Sequence, residues 1–253
     1  MAAPADTPVI EVKELKKQLG PQHVLRGLDL QIRRGETCVV LGRSGCGKSV
    51  LLKHLIGLMR PSSGRVFIDG EDITDLPERE LLKVRRKVGM LFQSAALFDS
   101  MTVEQNLAFP LKEHGMKDPK EIKDRVTEAL EMVDLLGSEE KMPDKLSGGM
   151  RKRVGLARTI VGRPHCILYD EPTTGLDPIT TDSINHLIRR LQKRINVTSV
   201  VVTHDMKTAF HCGDSVVFLH EGRVHFNGSV EELKASTDPI IADFIEGRSG
   251  EHD

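Results

Sequence analysis

The chain has 253 residues, 39% of them hydrophobic, which is enough for one large α/β domain or two small ones with a real core. Its 36 basic and 37 acidic residues leave a net charge of −1, which excludes a global field drawing it onto nucleic acid or an anionic bilayer. No apolar run approaches the ~20 residues that a membrane-spanning helix needs. Any membrane contact is therefore expected to go through a protein partner or a local patch.

The first segment, residues 1–8, is expected as a flexible terminus with neither the basic n-region nor the apolar h-region of a secretory signal. Residues 9–41 read as short strands around a turn at Leu19-Gly-Pro-Gln22, closing with a buried strand over Thr37–Leu41. Directly after it comes Gly42-Arg43-Ser44-Gly45-Cys46-Gly47-Lys48-Ser49, and Lys48 opens a helix with Leu51, Leu52, Leu55 and Ile56 on one face. Strand, glycine loop and helix in this order are the setting that a phosphate-binding loop requires.

Val88–Phe92 is a short apolar run that delivers Gln93. Residues 94–160 have a different texture and read as a helical insertion. Within it Asp118-Pro119 starts a helix with the apolar face Ile122, Val126, Leu130, Val133, predicted to stop at Gly137. Leu146-Ser147-Gly148-Gly149 then precedes a predicted helix over Arg151–Ile160.

Buried strands return at Cys166–Tyr169, Thr198–Thr203 and Ser215–Leu219, with a helix bearing Ile184, Leu187, Ile188 and Leu191 between the first two. Glu221-Gly222 turns a hairpin into Arg223–Phe226. Residues 236–253 form a C-terminal extension whose stripe Ile240, Ile241, Phe244, Ile245 needs a surface to cover, before a polar, disordered end. Cys38, Cys46, Cys166 and Cys212 make no C-x-x-C pair and read as reduced thiols of a cytoplasmic protein.

The chemistry begins with the loop at Gly42–Ser49. Backbone N–H groups reach a compact anion only where side chains are absent, hence Gly42, Gly45 and Gly47. The following helix adds its positive end, Lys48 a full charge, and the Ser49 hydroxyl a hard oxygen ligand for Mg²⁺. By chance the pattern arises in about one chain in a hundred of this length. Asp170 and Glu171 end an apolar strand and so present two carboxylates at the carboxyl edge of a sheet, where open α/β folds bind ligands.

The Gln93 amide could reach both a metal and an attacking water, and the His204 imidazole could contact a γ-phosphate and orient Glu171. Leu146–Gly149 is phosphate-binding architecture without a lysine, and one nucleotide hardly needs two such cradles. A head-to-tail pair resolves this, with Ser147 and Gly149 of one copy capping a nucleotide held by Lys48 of the other.

Together, these motifs in this order resemble the ABC-transporter ATPases across residues 9–235. The resemblance implies a P-loop NTPase fold of α/β class: a RecA-like core, an antiparallel β subdomain and a helical signature subdomain at about 94–160. It also implies ATP and Mg²⁺ as ligands, with Asp170 on the metal beside Ser49 and Gln93, and Glu171 polarising the attacking water. Gly148 joins Ser147 and Gly149 as a signature residue in trans, and Gly175-Leu176-Asp177 matches the loop that crosses the dimer interface.

A narrower resemblance rests on Phe92–Leu111 and on Leu146-Ser-Gly-Gly-Met-Arg-Lys-Arg153, which look like the ATPases of the Mla (MCE-type) phospholipid transport systems. That group implies a site at the cytoplasmic face of the inner membrane of a Gram-negative envelope. Its partners are a second copy of the chain, an MlaE-like permease, an MlaD-like MCE protein and a small MlaB-like STAS-domain protein, with no nucleic acid. Met150 stands where most relatives have glutamine, and Leu19 stands where many put an adenine-stacking aromatic. With Tyr169 as the one tyrosine and no tryptophan, Leu19 and Val24 offer the base apolar contact only.

Two other readings are weighed: an ATPase for an amino acid, metal or other small-solute transporter, and a soluble ABC protein of translation, repair or cluster assembly. The single cassette without C-x-x-C or a basic aromatic patch disfavours the second.

Overall fold

The computed structural model describes residues 8–248, so the expected flexible start, apart from Pro8, and the end at 249–253 lie outside the described residues. β1 (Ile10–Leu19) and β2 (Gln22–Ile32) pair antiparallel around Gly20-Pro21. They are long strands of 10 and 11 residues rather than short ones, because register shifts after Val12 and Leu15 let the ribbon bend while staying paired. With β4 (Ser63–Ile68) and β5 (Glu71–Asp72) they make a four-stranded antiparallel sheet in the order β2-β1-β4-β5.

The second sheet has six strands, built on β3 (Thr37–Leu41), β6 (Val88–Leu91), β7 (Cys166–Asp170), β8 (Thr198–Thr203), β9 (Ser215–His220) and β10 (Arg223–Ser229). Its order is β10-β9-β3-β8-β7-β6; β3, β6, β7, β8 and β9 run parallel and β10 closes the edge antiparallel. The parallel strands are buried and mostly apolar because both faces are covered, whereas the edge strand β10 alternates exposed and half-buried residues. Val39, Ile167, Val201 and Val216 look toward one core; Val40, Leu168, Val200 and Val217 look toward the other, shared with the antiparallel sheet.

α1 (Lys48–Leu55) lies on that second face, followed in the chain by α2 (Glu78–Lys87). The helical subdomain holds α3 (Val103–Glu113), α4 (Pro119–Met132) and α5 (Gly148–Ile160). α6 (Pro178–Ile195) and α7 (Met206–Cys212) flank the other face, and α8 (Val230–Lys234) and α9 (Pro239–Glu246) follow the hairpin.

Two helix boundaries differ from expectation. α4 ends at Met132 rather than running to Gly137, because Asp134 turns left-handed at φ 57°. The Asp134 and Leu135 N–H groups then return to the carbonyls of Glu131 and Leu130, which closes the helix with the Schellman pattern. Asp134 occupies a place where glycine is usual, and its carboxylate takes Arg153 at 2.9 Å and Arg190 at 2.6 Å. α5 begins at Gly148 rather than at Arg151, since Ser147 caps it by accepting the Met150 N–H at 3.2 Å.

The C-terminal stripe is covered by the chain's own domain. Ile241 is buried in the first core, and the Phe244 ring meets Phe218 edge-on with centroids 5.0 Å apart. The four cysteines are free thiols.

Candidate functional site

β3 lies between β8 and β9, so Gly42 emerges at the carboxyl edge near the middle of the sheet. The loop turns into α1 at Gly47, whose φ of 105° is a conformation that L side chains rarely adopt; a Cβ there would also sit 2.7 Å from the Leu25 side chain. At Gly45, with φ 82°, a Cβ would meet nothing within 4 Å, so this part of the loop borders open space rather than packed atoms.

The buried Lys48 ammonium donates to the Gly42 carbonyl at 2.7 Å and to the Arg43 carbonyl at 3.0 Å, which folds it back along the loop. Glycine backbone, a helix start and an inward ammonium form a cradle that suits a polyphosphate.

Beside it the Ser49 hydroxyl donates to the Asp170 carboxylate at 3.0 Å, joining α1 to the end of β7. Burial raises the Asp170 pKa, against the Ser49 hydrogen bond. Glu171 is held in a left-handed turn at φ 49°, with its N–H donated to the Val202 carbonyl at 2.9 Å. Its carboxylate is 2.9 Å from His204 Nδ1 and accepts the Thr174 hydroxyl at 3.1 Å. The carboxylate is therefore aimed by two side chains from two different loops.

Paired oxygen donors such as Ser49 and Asp170 suit Mg²⁺. By contrast Asp182, His186 and His211 bring their ligand atoms within 4.8 Å of one another on the surface of α6 and α7, and that nitrogen-bearing set is the wrong chemistry for Mg²⁺.

Gln93 lies in the exposed loop after β6, and its carbonyl rather than its amide is engaged, by the Lys152 ammonium. Asp177 caps α6, accepting the N–H groups of Ile179 and Thr180 at 3.0 Å each. Gly148 and Gly149 open α5, and a Cβ on Gly149 would be 2.6 Å from the Thr180 side chain, so its bareness also serves packing inside the chain. Leu19 is exposed at the hairpin tip, Val24 lies against Gly47, and Tyr169 is fully buried and so unable to stack on a base.

α1 packs against β2, β4, β7 and β8, whereas α5 packs against α3, α4, α6 and β6. The two glycine-led helix starts thus belong to helices that pack into different cores, on opposite faces of the six-stranded sheet.

Three side chains that sequence reasoning missed organise the segment after Gln93. Asn106 is fully buried; its Oδ1 accepts the Phe98 N–H at 2.8 Å and its Nδ2 faces the carbonyls of Phe98, Met101 and Thr102 at 3.0–3.1 Å. Arg158 donates to the Ala95 and Ala96 carbonyls at 2.9 and 2.8 Å. Lys152 is buried on the stripe Lys152, Leu156, Ile160, and burial pushes its pKa down. A lysine at i, i+4, i+8 spacing with two apolar residues was the signal available. Of the apolar residues in this segment Val103 is core, while Phe98 is exposed and pairs edge-on with Phe109 at 4.9 Å.

Residues 25–174 match the family described as ABC transporter. A probable ribonucleotide transport ATP-binding protein mkl of Mycobacterium leprae is 45% identical over 94% of this chain and 69% of its own length. The intermembrane phospholipid transport system ATP-binding protein MlaF of Haemophilus influenzae is 40% identical over 95% of this chain and 91% of its own. A methionine import ATP-binding protein MetN of Carboxydothermus hydrogenoformans is 41% identical over 94% and 71%. Among solved structures, the dimeric post-hydrolysis state of the ATP-binding cassette MJ0796 with ADP and Pi superposes with a TM-score of 0.80 at 34% identity, covering 87% of this chain and 98% of that one.

Proposed function

Because the chain belongs to the ABC transporter family and is an ATP-hydrolysing nucleotide-binding domain, we propose that it acts as one of two identical engines at the cytoplasmic face of an inner membrane. No helix among the described residues is long and apolar enough to cross a membrane, and in this reading a permease partner carries the translocation path. The observation that carries the reading is the second glycine-led helix start at Ser147, on a helix that packs on the opposite face of the sheet from the first. A second copy, placed head to tail, uses it.

In this mechanism the backbone of Gly42–Gly47 and the Lys48 ammonium hold the phosphates. Ser49, Asp170 and Gln93 would hold Mg²⁺, which offsets phosphate charge. The Glu171 carboxylate takes the proton of the attacking water, and its direction is set by His204 and Thr174. Ser147, Gly148 and Gly149 of the second copy cap the same nucleotide, with Asp177 at the crossing loop. The groove bearing Phe92, Phe98, Phe109 and Pro110 takes the permease's cytoplasmic helix, so closure of the pair is felt in the membrane.

The identities of 45, 40 and 41% to relatives named for ribonucleotide, phospholipid and methionine transport are too even to rank their substrates. Two of these three relatives are named for a small solute, which supports a small-solute transporter as the first reading. Phospholipid transport, with MlaE-, MlaD- and MlaB-like partners, is the second reading. It is favoured by the Phe92–Leu111 and Leu146–Arg153 segments and by a match along 91% of MlaF.

Purification from native membranes in mild detergent tests both. A permease is expected to travel with the chain; bound lipid with an MCE protein selects the second reading, and recovery free of any membrane protein sinks the transporter assignment.

A further inference from the structure

An ammonium inside a protein is costly unless it is paired, and a methionine at position 152 would fill the Lys152, Leu156, Ile160 stripe without that cost. Among the described residues Lys152 makes no direct ion pair, although the Asp170 and Glu171 carboxylates are near enough to favour its charge against the cost of burial. What it has are two backbone carbonyls: that of Gln93, in a short contact, and that of Glu171 at 3.3 Å. These come from the loops after β6 and after β7, which are neighbouring strands of one sheet.

Glu171 also sits in left-handed backbone at φ 49°, which a non-glycine residue keeps only when its surroundings over-determine it. Its N–H is tied to the Val202 carbonyl at 2.9 Å, and its own carbonyl accepts from the Lys152 ammonium and from the Thr174 N–H at 3.3 Å each, so both backbone polar groups are anchored, the carbonyl to α5 through Lys152 alone. Gly155, one turn along α5, lets the Gln93 loop come this close, since a Cβ there would lie 2.9 Å from Ala95. The helix carrying Lys152 is the one that Ser147 caps.

We propose that Lys152 is a positioning residue that locks the backbones of Gln93 and Glu171 to the signature helix, so that the seating of Ser147 governs the placement of the glutamate in the same chain. The first half stands on geometry within one chain; the second rests on the reading that Ser147 caps the opposing nucleotide. A rigid α5 carries the link, because Lys152 lies only five residues beyond its cap. The two catalytic loops are then held together by one side chain, and the helix that reports the partner's nucleotide is the one that holds them.

The test compares the wild-type chain with Lys152→Met and Lys152→Arg, first by hydrogen exchange without nucleotide. In Lys152→Met the amides of residues 92–97 and 170–175 are expected to exchange about tenfold faster, with residues 37–55 unchanged. Affinity for a fluorescent ATP analogue stays within about twofold and kcat falls roughly 10–100-fold, the scale of a 1 Å misplacement of a reacting group. Lys152→Arg, which keeps a cation with donors there, is expected to bring kcat back to within about fivefold of wild type.

Unchanged exchange in both peptides, or faster exchange throughout the chain, overturns the proposal, as does an Arg variant no better than Met. The trans link has its own readout: Lys152→Met should lower the Hill coefficient for ATP toward 1. A wild-type Hill coefficient beside locally faster exchange would overturn the link to Ser147 while leaving the loop anchoring in place. Loss of the composite-site reading is seen separately, in Ser147→Arg.

Discussion

The Ser49 hydroxyl donates to the Asp170 carboxylate across 3.0 Å, tying the first turn of α1 to the end of β7. Burial raises the Asp170 pKa above its ordinary 3.8, so the folded chain holds that proton more tightly than the unfolded chain does. Stability contributed by this group is present below about pH 3.8 and lost as pH rises through the raised value. At neutral pH the ionised carboxylate therefore opposes folding. Asp170→Asn should raise the Tm of the nucleotide-free chain while abolishing Mg²⁺-dependent nucleotide binding. A lower Tm for this variant at pH 7 would show that the carboxylate is a net stabiliser.

Lys48 and Glu171 are expected to fail at different steps. Lys48→Ala removes the buried ammonium of the loop and should lose most ATP binding in a fluorescence titration. Glu171→Gln keeps the fold of the turn but loses proton acceptance, so hydrolysis should fall at least 10²-fold with binding intact. By light scattering it should form an ATP-dependent dimer. Hydrolysis at the wild-type rate in this variant excludes Glu171 as the base.

The composite site predicts complementation. In a mixture of Lys48→Ala and Ser147→Arg chains, each heterodimer has one site with both lesions and one site with neither. Each variant alone should be nearly inactive, and the mixture should regain a measurable fraction of wild-type turnover. If Ser147→Arg by itself hydrolyses ATP normally, no trans role remains.

α9 is expected to be part of the stability of the domain. Ile241 is buried and Phe244 lies against Phe218, so Ile241→Ala should cost about 2–5 kcal/mol. For a chain of this size that is a fall of roughly 4–20 °C in Tm. Truncation after Ser236 should lower it further; an unchanged Tm with lost assembly would instead make the tail an interface with another chain.

What the sequence determined by itself was local. The run Thr37–Leu41, the glycine loop and the helix from Lys48 are contiguous, so one stretch of chain carries the whole strand, loop and helix of the candidate phosphate site. The Glu221-Gly222 hairpin and the capped start of α4 at Asp118-Pro119 are likewise written in neighbouring residues.

What only the tertiary structure decided lies where distant segments meet. Asp134 ends α4 in a left-handed turn usually given to glycine, and its carboxylate meets Arg153 and Arg190 from two other helices. Gly149 must be bare because Thr180 lies against it, and Lys152 gains a role because two loops, 59 residues before it and 19 after, bring their carbonyls to its ammonium. The C-terminal stripe was readable as apolar, yet the surface it covers is supplied by Phe218 and its neighbours in the core. Periodicity and local backbone preference act over a few residues, whereas burial, pKa and the partner of a buried polar group are set by whichever atoms the packed chain places within a few ångströms.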